Sequence, residues 1–140
     1  MFQTIMLATD GSAPAERAAA LAISLARRYA ARVIVVHACG PPPDEATGLR
    51  LDDVLDERWE EASALVQDTA RRMRDLGVVE VATDVVAGTA ADAILRCVEV
   101  YRPDLLVIGA RGRSPWVGLT LGSVSMAVTQ GAPCPVLVVK

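Results

Sequence analysis

Short apolar runs rich in β-branched residues alternate along this chain with longer stretches in which apolar residues recur every three or four positions. The short runs have the length and branching of buried parallel strands, and the longer ones the period of amphipathic helices. Strands are expected over residues 3–9, 33–38, 79–86, 105–108 and 136–139. The third alternates more than the others, because Glu80 and Asp84 interrupt it, and so belongs at a sheet edge. Helices are expected over residues 15–31, 52–76, 91–101 and 123–130. In the first helix Ala18, Leu21, Ala22, Leu25 and Ala26 make the inner stripe, with Glu16, Arg17, Arg27 and Arg28 off it. In the second, Val54, Leu55, Trp59, Ala62, Leu65, Val66, Thr69 and Met73 face inward. Acids lead and arginines trail on its other face, as the helix dipole favours.

The breaks between elements fit this reading. Ser12 can cap the first helix, whose first turn tolerates Pro14. Gly40-Pro41-Pro42-Pro43-Asp44 stops regular structure, Gly77 ends the second helix, and Pro103 and Pro133-Cys134-Pro135 end the third and fourth. The order is then β-α-β-α-β-α-β-α-β. It predicts an α/β fold: a single-domain, doubly wound, five-stranded parallel sheet with helices on both faces, of the Rossmann-like kind. In such sheets ligands lie beyond the carboxyl ends of the strands, where the strand order reverses. The loops after strands one and four are the natural neighbours at that point.

Composition narrows the function. At 140 residues, with 52% hydrophobic and 22% charged residues, the chain suits one domain over residues 1–140. No run approaches the ~18 apolar residues of a membrane span. The first ten residues lack the basic start of a signal peptide, so a cytoplasmic location is expected. A net charge of −3 gives no general attraction to nucleic acid or anionic membrane. Lys140 is the only lysine and follows no Gly-rich loop, which excludes a lysine-based phosphate clamp. Cys39, Cys97 and Cys134 have no metal-binding spacing, and their odd number suits a reducing compartment. His37 is the only histidine, so a Ser-His-Asp site or a multi-histidine metal centre is not expected; it reads as a structural residue near a strand end. Trp59 reads as helix packing, and Cys134 as a small buried residue.

The chemistry concentrates between Asp104 and Val124. A buried strand feeds a Gly-bearing loop, and Gly122-Ser123 open a helix. Glycines let the backbone approach an anion closely, and free N–H groups at a helix start point toward it. This geometry suits the phosphates of a nucleotide. Amides of Gly112, Gly122 and Ser123, with the Ser123 hydroxyl, are the expected donors.

The spacing Gly109-x2-Gly112-x9-Gly122-Ser123 resembles the nucleotide-binding signature of the universal stress protein family. The resemblance runs through the whole chain: Ala-Thr-Asp-Gly-Ser at 8–12, Val-Val-His-Ala at 35–38, Val-Val-Ala-Gly-Thr-Ala at 85–90 and Gly-Ala-Pro-Cys-Pro-Val-Leu-Val-Val at 131–139. The family has members that bind ATP and members that have lost the signature; this chain keeps it and resembles the ATP-binding branch. The resemblance implies an adenine nucleotide alpha hydrolase-like fold and a ligand that is ATP, or ADP or AMP, with Mg2+ bound through the phosphates. It also implies that Gly109, Gly112, Gly122, Ser123 and Val124 surround ribose and phosphates, that Asp10 lies near ribose and adenine, and that Ala8, Ala38 and Ile108 line the base pocket.

A carboxylate against phosphate repels, so Asp10 suits ribose or adenine donors, a magnesium ion, or simply an Asx turn entering the helix. Arg111 and Arg113 either reach outward phosphates or are solvated. Trp116 and Leu119 belong to a lid or to a subunit contact.

Three functions compete. The first is an ATP-binding, stress-response regulatory protein, at most a slow ATPase. The second is an enzyme activating its substrate through an AMP adduct, but neither a His-x-Gly-His motif nor a Ser-Gly-Gly loop is present. The third is a structural or partner-binding dimer with a vestigial pocket. The last strand, Val136–Val139, is apolar and at an edge, which predicts a homodimer formed through it.

Overall fold

The computed structural model of the protein describes residues 1–41, 51–112 and 121–140, with the backbone alone over 51–55. The described elements are β1 (Thr4–Ala8), α1 (Ala13–Tyr29), β2 (Arg32–Ala38), α2 (Leu51–Asp75), β3 (Val81–Val86), α3 (Ala90–Tyr101), β4 (Leu105–Gly109), α4 (Ser123–Gly131) and β5 (Val136–Val139). The sheet is parallel, with strand order β3-β2-β1-β4-β5. The order runs outward from β1 to β3, then reverses to β4 and β5, so the switch point lies between β1 and β4. β3 stands at an edge, as its charged interruptions predict.

Strand parity divides the core into two. Ile5, Leu7, Val33, Val35, Leu105 and Val107 point to one face, where α1 and α2 cover them. Met6, Ala8, Ile34, Val36, Leu106 and Ile108 point to the other, against Ile94, Cys97 and Val98 of α3 and Val128 of α4. Helices on both faces explain why the inner strands are apolar without alternation.

Element ends differ from the sequence expectation by one or two residues. Ser12 caps α1 as expected, its Oγ accepting from Ala15 N–H at 3.4 Å. The helix stops sooner than residue 31 because Ala30 turns into the left-handed region, φ 52°. The buried stripe of α1 is Ala15, Ala18, Ala19, Ala22 and Ala26. Leu21 sits beyond its rim and is 39% exposed. In α2, Ala62, Val66, Thr69, Ala70 and Met73 are buried. Trp59, read as inward packing, is 49% exposed: it lies three residues before Ala62 but on the outer side of the stripe. Inward packing of Val54 and Leu55 lies outside the described side chains.

Asp104, just before β4, holds the start of β1. Its Oδ2 accepts from the N–H groups of Gln3 and Thr4, each at 2.8 Å, and its own N–H donates to Thr4 O at 2.8 Å.

Candidate functional site

At the carboxyl edge the strands end at different levels. β1 stops at Ala8, level with Val36 of β2 and Ile108 of β4. β2 runs on to Ala38 beside β3. In the row Val36–Ala8–Ile108 the middle side chain is a single methyl between two branched ones, which leaves a hollow. Ala90 and Ile94 of α3 supply a further wall, and the whole is a cavity of about 230 Å³.

The step between β1 and β2 also exposes backbone. Alternate residues of a parallel strand turn both N–H and C=O to alternate sides. Thr9 N–H donates to Val36 O at 3.0 Å and Cys39 N–H to Val86 O at 3.0 Å. Even-numbered residues of β2 therefore face β1, and Ala38 turns its N–H and C=O toward β1 at a level where β1 has left the sheet.

The loop leaving β1 is held by its own side chains. Gly11, at φ 77°, donates its N–H to Thr9 Oγ1 at 3.2 Å. Asp10 Oδ1 accepts from Ser12 N–H at 2.9 Å, so the Asx turn is present. Its other oxygen faces Gly112 across the cavity rim. His37 Nδ1 lies 2.7 Å from Thr9 O. A carbonyl only accepts, so Nδ1 carries the proton. His37 thus has the structural role expected of it, and it also lines the cavity.

The start of α4 differs from that of α1. Its N-cap is Gly122, which has no side chain to satisfy the first-turn amides. Those of Ser123, Val124 and Ser125 are left without intrahelical acceptors, since the first helical bond runs from Met126 N–H to Gly122 O. The Gly122 amide itself is engaged, donating to Ala110 O at 2.6 Å, which corrects the expectation that it points at a ligand. That bond folds the loop back onto the end of β4. Ser125 Oγ reinforces it from within the protein, 2.7 Å from the same Ala110 O.

The glycines of the signature have separate reasons to be glycine. At Gly109 a Cβ would lie 2.9 Å from Pro14 C and 3.0 Å from Ala15 N, so this glycine lets the start of α1 pack on β4. At Gly112 a Cβ would meet Asp10 Oδ2 at 2.6 Å. At Gly122 the nearest atom would be Ala110 O at 3.4 Å, and φ −71° suits any residue. Among the described residues, neither packing nor backbone demands glycine there.

Among the expected site residues, Ala8, Ile108 and Ala38 line the cavity from the strand ends, and Asp10, Gly109 and Gly112 from the loops. Gly122, Ser123 and Val124 line it from the start of α4. Arg111 lines it too, whereas Arg113, Trp116 and Leu119 lie outside the described residues. Sequence reasoning missed Thr9, Ala15, Val36, His37, Ala90, Ile94 and Ser125 as lining residues. Two of these had a legible signal: Thr9 adjoins Asp10, and Val36 is one parity step from Ala38. Two of the thiols, Cys97 and Cys134, are poor nucleophiles. Burial pushes Cys97 up to about 11 and also raises Cys134, so both stay protonated near neutrality. Cys134 is half-buried, less enclosed than expected.

The chain matches the model of the Universal stress protein family over residues 1–140. The universal stress protein in QAH/OAS sulfhydrylase 3′ region of Thermus aquaticus is 41% identical over 140 residues, covering 100% of both chains. The solved universal stress protein UspA from Lactobacillus plantarum shares the fold with a TM-score of 0.89 at 22% identity, covering 99% of this chain and 98% of that one. A universal stress protein solved in complex with cAMP has a TM-score of 0.76 at 30% identity, covering 99% of this chain and 97% of that one.

Proposed function

This chain belongs to the universal stress protein family, and on that premise we propose that it is an adenine-nucleotide-binding protein whose ligand, ATP by preference, occupies the cavity at the switch point. The observation that carries this reading is the glycine-capped start of α4, whose first-turn residues line the cavity and whose amides have no intrahelical acceptors. Phosphate oxygens are suited to Ser123, Val124 and Ser125 N–H. The base fits between Ala8, Val36, Ile108 and Ile94, with its ring nitrogen and amino group beside the N–H and C=O of Ala38. A relative of 30% identity has been solved with cAMP, which agrees with an adenine ligand.

Asp10 is the one acid among the described lining residues. A magnesium ion would be held mainly by the phosphates and water, with Asp10 as a single protein oxygen. That ion would neutralise phosphate charge; Asp10 orients the loop and accepts from the ribose. The role is regulatory, with binding coupled to self-association through the outer edge of β5. Hydrolysis is slow, because no lysine lines this cavity and Asp10, the one acid among its described lining residues, is held by Ser12 N–H.

Calorimetric titration with ATP–Mg and with AMP tests the reading, using wild type beside Gly122→Val. The branched side chain should obstruct the amides and weaken binding at least about tenfold, the worth of one charge-assisted hydrogen bond. Equal binding by the variant would remove the start of α4 from the site.

A further inference from the structure

A second cavity, of about 320 Å³, lies beside the first and is lined by Pro14, Arg17, Ala110, Arg111 and Lys140. Arg111 lines both cavities. The first turn of α1 forms the ridge between them, with Ala15 on one side and Pro14 on the other. Three of the five lining side chains are cations and none is an acid. The acid nearest in sequence, Glu16, is engaged elsewhere by Arg72 of α2, at 2.7 and 3.0 Å.

The fold brings these cations together from distant points in the chain. Ala110 N–H donates to Val139 O at 2.7 Å, which puts the end of β5 beside the Gly-rich loop. Arg17 Nε donates to the Lys140 main-chain oxygen at 2.9 Å. Lys140 follows no Gly-rich loop in sequence, yet in space it shares a cavity with Arg111 of that loop. The sequence-based ground for setting a lysine aside therefore fails. With residue 140 as the last of the tested chain, its carboxylate offsets one of these charges.

We propose that this second cavity is a phosphoryl-oxyanion site. It takes either the distal phosphates of a nucleotide whose base sits in the first cavity or a free inorganic polyphosphate. The bridging case rests on the nucleotide reading above; the free-anion case does not. Arg17 and Lys140, the cations that the fold brings here from α1 and the end of β5, suit a multiply charged tail, whereas a monophosphate ends at the start of α4. The cavity then determines which nucleotide is preferred, and the start of α4 does not.

The test titrates the full chain with AMP, ATP and tripolyphosphate, comparing wild type with Lys140→Gln and Arg17→Gln/Lys140→Gln. Lys140→Gln leaves the main-chain bond to Arg17 in place, so at least one variant keeps the local hydrogen bonding. In the bridging case the double variant binds AMP within about twofold of wild type, while its preference for ATP over AMP falls about tenfold. In the free-anion case tripolyphosphate binding falls about tenfold in the double variant and persists in wild type saturated with AMP. Wild-type AMP binding with no change in either the ATP preference or the tripolyphosphate affinity would overturn the oxyanion site and leave the nucleotide reading standing. Loss of tripolyphosphate binding in a protein that binds no adenine nucleotide would do the reverse.

Discussion

Gly112 and Asp10 are held against each other, such that a Cβ on the glycine would sit 2.6 Å from Asp10 Oδ2. The contact joins the two loops at the switch point. Gly112→Ala must therefore rotate Asp10 and loosen its bond to Ser12 N–H. We expect adenine-nucleotide affinity to fall about tenfold and stability by about 1 kcal/mol. Calorimetry and thermal melts read the two effects separately; wild-type affinity in Gly112→Ala would remove Asp10 from the binding reaction.

Gly109→Ala and Gly122→Ala should separate packing from binding. The first places a methyl against the backbone of Pro14 and Ala15, which cannot yield without moving α1. A loss of about 1–3 kcal/mol is expected in denaturant unfolding. The second meets only ordinary contacts, so stability should change by less than about 1 kcal/mol while nucleotide binding weakens. Equal destabilisation by both would contradict this division of the signature.

Asp104 predicts a particular pH dependence. Two backbone N–H bonds hold its carboxyl below the usual range. A depressed folded value means that the contribution is present above the unfolded value, about 3.9, and is lost as pH falls through the lower folded value. Asp104→Asn should therefore melt below wild type by a constant interval from pH 5 to 8, as an order-of-magnitude window around the carboxylate range. The interval should close in more acid solution. An interval that stays constant down to about pH 2 would show that the carboxylate charge is not what matters.

Ala30 ends α1 with φ 52°, a conformation that costs a residue with a Cβ about 1 kcal/mol. The residue is exposed, so its methyl contributes no burial. Ala30→Gly should raise stability by about 0.5–1 kcal/mol, seen as a melting point about 2–4 °C higher. A lower melting point would mean that the gain in unfolded-state freedom outweighs the relief.

β5 offers a test of self-association. Leu106 N–H donates to Pro135 O and Ala110 N–H to Val139 O, so odd-numbered residues of β5 face β4 and Val136 and Val138 face outward. Val138→Pro removes an outward donor and leaves the β4 ladder intact. If copies pair along this edge, sedimentation at micromolar concentration should show a dimer for wild type and a monomer for the variant. A variant that remains dimeric would place the interface elsewhere.

The fold was legible because buried parallel strands and amphipathic helices have different periods, and because Gly and Pro mark the breaks between them. The switch point followed from the element order alone, and with it the meeting of the loops at Asp10 and Gly112. What stayed hidden depends on parity and on contacts remote in sequence. The overhang of β2 past β1 needs the register Ala8↔Val36. The engagement of Gly122 N–H by Ala110 needs the loop's path. Trp59 and Leu21 were misplaced because a stripe read at three- and four-residue spacing is wider than the surface that α1 and α2 bury. Lys140 was set aside on spacing, a criterion that does not register the ends of neighbouring strands.

Much of the first cavity's wall is methyl groups and bare backbone: Ala8, Ala15, Ala38, Ala90, Gly109 and Gly122. Such walls have no rotamers. They cannot swing inward to fill the space when a ligand departs, and they lose no torsional freedom when one arrives. If this cavity takes a ligand as proposed, that part of its wall keeps its shape on loading and release, and any response must originate in the longer side chains and the loops at its rim.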